Sequence, residues 1–402
     1  MIVELVIAIL IGATLGIITG ITPGIHINLV AVMLLGLAPF LGNYVNPLII
    51  AVAIVSMSVV HTFLDFIPSC YLGAPDESNV MSALPAHKLL LQGMGFEAVK
   101  LATMGSFLGL ICVLALLPIL IFAVPFIFEK LQDYIGIILV AIMIFMILKE
   151  HGLNKKFWSF FVFMISGILG IIVFSLNLEQ PLFPMLSGLF GISILVTSIS
   201  EKVRVPEQRI TNELHFSKKE ISKSVFAGTI SGTIVSIFPG MGPAQAAILG
   251  GSLVGKIKDH MYIVLVGAIG TVSMVLSLIT LYTINKARNG SIVVVQELLK
   301  TVDWSMFLLL AVIAFVAGCV GVFLTMFFAR IFSKLIVKVN YAGLCITIIA
   351  FVSALVFYFT GVIGLLVLFV STAIGLIPGF VNIGKNHAMG CLLLPVIFYF
   401  IL

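Results

Sequence analysis

Two short stretches hold the residue types that could do chemistry in this chain. The first is Gly20-Ile-Thr-Pro-Gly-Ile-His-Ile-Asn28. Pro23 has no N–H and clashes with the preceding turn, so it ends an incoming helix. Gly24 permits a sharp bend. The helix that follows starts with free N–H groups in its first turn, and these, with the positive dipole end, favour an anion by about 0.3–2 kcal/mol. Thr22, His26 and Asn28 flank that start as polar side chains. The second stretch is Ser231-Gly-Thr-Ile-Val-Ser-Ile-Phe-Pro-Gly-Met-Gly-Pro-Ala-Gln245. Pro239, Gly240, Gly242 and Pro243 put two helix breakers and two flexible residues into five positions, with Ser236 and Gln245 nearby. A plain proline kink accounts for either stretch alone. Two of them at matching places point to one anion site between them.

Ionisable residues inside apolar segments are costly and tend to line cavities or proton routes. His61 and Asp65 sit one turn apart in such a segment. Asp65 is a candidate carrier of a coupling proton or sodium ion. His26 is a second candidate for the proton, because free imidazole titrates near about 6.5. The stretch from Asp65 to Asn79 is polar and irregular, and an interfacial loop with solvated Asp76 and Glu77 is the alternative reading. Residues 85–100 read as a short amphipathic surface helix. Farther on, Asn285-Lys-Ala-Arg-Asn-Gly-Ser291 places Lys286 and Arg288 where Arg288 could face an anion or both could snorkel to an interface. Gly375 to His387, with Lys385, reads as a connecting loop. The five cysteines are far apart and show no metal or redox spacing. No nucleotide loop, zinc spacing or Ser-His-Asp order is present, so no enzyme activity, cofactor or metal is expected.

The elements that must position these residues follow from composition. Of 402 residues, 61% are hydrophobic and 9% charged, against roughly 25% charged in soluble domains. That excludes a soluble enzyme, a disordered chain and a nucleic-acid binder. Apolar runs fall at 1–20, 24–42, 46–68, 102–127, 134–149, 157–178, 182–200, 224–238, 241–255, 261–284, 303–329, 341–359, 361–377 and 388–402. At about 20 residues per crossing, the chain reads as an all-α integral membrane protein of the cytoplasmic membrane. It would have about ten transmembrane helices and two re-entrant Pro-Gly-broken hairpins, 1–42 and 224–255. A broken helix survives in lipid only where its loose backbone is buried or lines a wet cavity.

The order of segments repeats: hairpin, span, polar stretch, span, three more segments. This divides the chain into 1–200, a basic linker 201–223, and 224–402. Basic residues cluster in 201–223, at Lys149, Lys155 and Lys156, at Lys256 and Lys258, and at Arg330, Lys334 and Lys338. The positive-inside rule makes their shared face cytoplasmic. An odd number of crossings separates the two hairpins, so they enter from opposite sides. That is an inverted-topology repeat, which in secondary transporters binds substrate near the midplane.

The paired Pro-Gly hairpins, the stretch Pro68 to Gly105 and Pro181-Leu-Phe-Pro-Met-Leu-Ser-Gly-Leu-Phe-Gly191 resemble the large permease subunit of the tripartite tricarboxylate transporters. Phe238-Pro-Gly-Met-Gly-Pro243 matches that family's Pro-Gly-x-Gly signature. In the first copy, His26 replaces the second glycine, and 69–95 lacks the family's Asp-Gly pair. The resemblance implies ion-coupled import of a di- or tricarboxylate, with a small membrane subunit and an extracytoplasmic binding protein. A divergent branch that works alone also stays open. Polyprenyl-phosphate translocases carry paired Pro-Gly re-entrant motifs too, so a lipid-linked phosphate is the rival substrate. An intramembrane enzyme using His26, His61 and Asp65 is a third reading, without paired catalytic spacing behind it.

Overall fold

A computed structural model describes residues 2–22, 27–41, 45–73, 80–178, 180–200, 205–211, 216–237, 242–255, 257–338 and 340–401. Among them the chain is helical throughout, and nine helices are long and apolar enough to cross a membrane. The protein is an all-α, multi-pass membrane protein. Its helices are α1 Ile2–Ile21, α2 Ile27–Leu41, α3 Pro47–Leu64, α4 Phe66–Tyr71, α5 Ala83–Leu91, α6 Gly95–Ala115, α7 Leu117–Leu131, α8 Ile135–Leu148 and α9 Leu153–Ser175. Then come α10 Leu182–Leu186, a π-helical turn Ser187–Ile192, and α11 Ser193–Ser200. The second part comprises α12 Lys218–Ile237, α13 Pro243–Val254, α14 Asp259–Ile284, α15 Gly290–Leu299, α16 Trp304–Leu335, α17 Tyr341–Val381 and α18 Gly390–Ile401.

Several boundaries differ from the sequence expectation. The segment 102–127 is two helices, because Pro118 stops the α6 register and α7 starts anew at Leu117. The surface helix expected over 85–100 ends at Leu91, and Gly95 already opens α6. Gly375 to His387 is not an open loop. α17 runs on through Pro378 to Val381, and Lys385–Met389 forms a 3₁₀ turn. Within α17, Gly361 adopts φ 65°, a backbone that other residues rarely take. It splits α17 where the apolar runs 341–359 and 361–377 meet.

Close packing explains how α1 and α12 seat. Gly12, Gly16 and Gly20 form one stripe on α1, one turn apart. A Cβ at Gly12 would meet Ala53 and Ser56, at Gly16 Met57 and Val60, and at Gly20 Leu64 of α3. On α12 the stripe repeats with Gly228 against Leu265 and Ala268, and Gly232 against Ile269 and Val272 of α14. Small residues let backbones approach in lipid, where dispersion replaces hydrophobic drive. The next layer is reciprocal. α3 packs on α16, and α14 packs on α6, with Gly318 and Gly321 of α16 against Phe63, and Gly105 and Gly109 of α6 against Val264 and Ala268.

Several of the described basic residues gather at one end. Lys258 pairs with Glu220 at 3.4 Å and Lys88 with Asp259 at 2.7 Å. Lys223 donates to the Val254 carbonyl and Lys149 to Ser252. At the same end the Tyr71 hydroxyl meets Ser333 of α16, between Arg330 and Lys334. Of the linker, the described residues 205–211 are docked there. Gln208 accepts from the Gly95 N–H and donates to the Leu90 carbonyl, and the Arg209 N–H bonds the Gly93 carbonyl. Beside it His87 lies buried, its Nε2 3.3 Å from Ser198 Oγ.

Two outcomes are expected. Gly16→Val drives a branched side chain into Met57 and Val60, which lowers stability by about 1–3 kcal/mol. Gly379→Ala, with nothing within 4 Å, leaves the thermal midpoint in detergent where it was. Burial also lowers the His87 imidazole to about 4. The unfolded residue, titrating near about 6.5, takes its proton first. Its stabilising contribution is therefore complete above that value and is lost as pH falls toward the folded one. His87→Gln should flatten the fall in midpoint between neutral and acid pH.

Candidate substrate site

Around the first break, Pro23, Gly24 and His26 lie outside the described residues. The flanks are defined. Thr22 ends α1, its N–H bonded to the Ile18 carbonyl at 3.1 Å. Thr19 Oγ1, one turn earlier, lies 3.1 Å from His61 Nδ1. Asn28, in the first turn of α2, presses directly on Gly290, the first residue of α15. Two helix starts, one from each part of the chain, therefore meet beside the first break.

The α15 start is built by hydrogen bonds. Asn289 Oδ1 accepts from the Ser291 N–H at 3.0 Å. Ser277 Oγ of α14 accepts from the Arg288 and Asn289 N–H groups, each at 2.9 Å. The Ser58 and Ser291 hydroxyls, 2.8 Å apart, tie it to the middle of α3. The Arg288 side chain leaves this cluster and lies over the Phe128 ring of α7, 5.3 Å from its centroid, with Lys286 over the same ring at 4.6 Å. Arg288 Nε and Nη2 are buried with no hydrogen-bond partner among the described residues. Arg288 is thus near Asn28 by backbone, while its charge is held by an aromatic face.

Around the second break, Pro239 and Gly240 lie outside the described residues. Ser236, near the end of α12, is buried. Gly242 caps α13 in extended backbone, and its N–H donates to Gln245 Oε1 at 2.8 Å. Gln245 is wholly buried, and its Nε2 has no hydrogen-bond partner among the described residues. Buried amides are almost always satisfied, so this donor, one turn into a helix start, is what a site for an acceptor group would leave open. Ala244 shares a buried cluster with Leu189 and Phe190 of the π-helical turn and with Ala388 and Met389.

Among α3, α6 and α14 lies a narrow cleft lined by Thr62, Asp65, Phe66, Ala102, Ser106, Val266, Gly267 and Gly270. Asp65 stands at the step from α3 to α4 and is 4% exposed. Its Oδ2 is 4.0 Å from His61 Nε2. Thr62 Oγ1 lies 3.3 Å from Thr271 Oγ1, and Ser106 Oγ donates to the Gly267 carbonyl at 3.0 Å. Gly16 rests on Val60 and Gly232 on Val272. Counting on from those two valines, Asp65 and Ser277 hold corresponding places.

Sequence reasoning missed Thr19, Ser277 and the group around Lys385. Neither the Asn289 cap nor Ser277, eleven residues from Arg288 along the chain, was read from the sequence. Lys385 and His387 were visible but assigned to a connector.

A family model described as the tripartite tricarboxylate transporter TctA family matches residues 6–390. The chain belongs to that family. An uncharacterized protein of Methanocaldococcus jannaschii is 29% identical over 404 residues, covering 98% of each chain. No solved structure matches. Family membership makes the chain a component of a tricarboxylate transporter class, and the Pro-Gly breaks and the cleft lie within the matched span.

One outcome follows from the α15 start. Ser277→Ala removes the acceptor shared by two N–H groups, a loss of about 1–3 kcal/mol. Hydrogen exchange over 286–292 should quicken, while Ser277→Thr, which keeps the hydroxyl, should stay near wild type.

Proposed function

We propose that the protein is an ion-coupled secondary transporter that moves an organic anion of the di- or tricarboxylate class across the cytoplasmic membrane by alternating access. The anion is held between the two Pro-Gly tips. The observation that carries this reading is Gln245, fully buried at the start of α13 with its Nε2 donor open. Thr22, Pro23, Gly24, His26 and Asn28 form the first wall of the site; Ser236, Pro239, Gly240, Gly242 and Gln245 form the second. Arg288 adds positive charge on the side away from the basic cytoplasmic end.

The reciprocal packing of α3 with α16 and α14 with α6, and the repeated glycine stripes, support two inverted halves, 1–200 and 224–402, joined by 201–223. Rocking of one half against the other would open each side in turn. Asp65 in the α3–α6–α14 cleft takes the coupling proton or sodium ion, with His26 as the other proton carrier. A small membrane subunit and an extracytoplasmic binding protein are the partners that family membership suggests.

The test is uptake by proteoliposomes of labelled citrate and succinate under imposed sodium or proton gradients. Accumulation is the expected result. Asp65→Asn should abolish gradient-driven accumulation and spare substrate exchange. Transbilayer movement of a polyprenyl phosphate, with no carboxylate uptake under any gradient, would replace this reading with the lipid-phosphate one.

A further inference from the structure

The turn Lys385–Met389, which joins α17 to α18, holds a cation without a counter-charge. Lys385 Nζ lies 2.8 Å from Ser193 Oγ, at the end of the π-helical turn. That hydroxyl spends its own proton on the Leu189 carbonyl at 2.7 Å, so its oxygen is left to face the ammonium. The neighbouring carboxylate is engaged elsewhere: Glu150 Oε1 lies 3.0 Å from His387 Nε2. Among the described residues no carboxylate lies within 4.0 Å of Lys385 Nζ. A charge withdrawn from water costs several kcal/mol when nothing compensates it, and a neutral hydroxyl compensates little.

One further donor stands open close by: Gln245 Nε2 has no hydrogen-bond partner among the described residues. His387 is fully buried and faces the Glu150 carboxylate through Nε2. The elements carrying these groups are one packed unit, because Ala244 of α13, Leu189 and Phe190 of the π turn, and Ala388 and Met389 share a single buried cluster. π-helical turns inside α-helices are frequent at functional sites, and this one orients Ser193. A lysine and an amide beside a helix start form a donor set for a carboxylate or phosphate group.

We propose that Lys385 provides the fixed positive charge for an anion at the start of α13, with Ser193 as its resting partner when the site is empty. This rests on the transporter reading for the identity of the anion. The ammonium leaves the Ser193 hydroxyl for one acidic group of the substrate, while the α13 start and the Gln245 amide bond its remaining oxygens. A neutral analogue of equal size would have no partner for the ammonium and would be rejected.

The test uses the purified full chain in detergent, with citrate, succinate and inorganic phosphate as probes and thermal shift and calorimetry as readouts. Wild type should bind at least one of them. Lys385→Gln should weaken that binding by about tenfold or more, the worth of a charged hydrogen bond, and Lys385→Arg should stay within a few-fold. Without ligand, the Lys385→Gln midpoint should match or exceed wild type, since a part-buried charge facing only a hydroxyl has been removed. If Lys385→Gln instead unfolds, or binds as tightly as wild type while Gln245→Leu loses binding, Lys385 is structural and the proposal is overturned. If no probe shifts wild type, both the proposal and the carboxylate reading fail. If binding depends on Lys385 yet no gradient drives uptake, the transporter reading alone fails.

Discussion

Backbone N–H groups at the start of a helix cannot be left bare in hydrocarbon, and the fold is arranged around that constraint. α13 has twelve residues, about 18 Å of helix, too short for a hydrocarbon core of about 30 Å. Its first turn is nonetheless buried, with Ala244 and Gln245 inside the protein. One N–H, that of Gly242, is satisfied by the Gln245 side chain. The α15 start is handled by other means, with Asn289 as cap and the Ser277 hydroxyl as acceptor for the two preceding N–H groups. Both solutions use neutral side chains. A carboxylate cap would answer the same need but would withdraw a charge from water, which costs more than burying an amide or a hydroxyl.

Holding short helices in place requires dense support from the long ones. α3 and α14 are the most enclosed spans, and each is flanked by a glycine-striped partner that comes within backbone contact. Because most stripe positions on α1 and α12 leave no room for a Cβ, each of these helices seats on its span at backbone contact.

Much of this layout is legible in the sequence because it is local. Apolar run length marks the spans, Pro-Gly pairs mark where α1 and α12 stop, and the break in α17 at Gly361 falls between two apolar runs. Even the basic end can be read, since lysine clusters report where loops emerge. What is not legible is which elements meet. Asn28 and Gly290 are 262 positions apart, and Lys385 and Ser193 are 192 apart; neither pair leaves a mark in periodicity. The loss of Lys385 to a presumed connector has a specific cause. Pro378-Gly379 reads as a breaker, yet α17 continues through it to Val381, because the residues before the proline are already in helical register and nothing crowds Gly379. α6 and α7 err in the opposite sense, since one apolar run conceals a stop at Pro118.

The two parts of the chain are alike in shape and unlike in charge. Asp65 and Ser277 stand five positions on from Val60 and Val272, one a carboxylate on a cleft between three helices, the other a hydroxyl that organises a helix start. The interior cations differ as well. Arg288 leans on the Phe128 ring and Lys385 on the Ser193 hydroxyl, whereas the described lysine–carboxylate pairs, Lys88 with Asp259 and Lys258 with Glu220, are exposed at the basic end. Exposed pairs of that kind contribute little, and water screens them from the interior. An interior cation held only by an aromatic face or a hydroxyl keeps more of its field than one paired with a carboxylate.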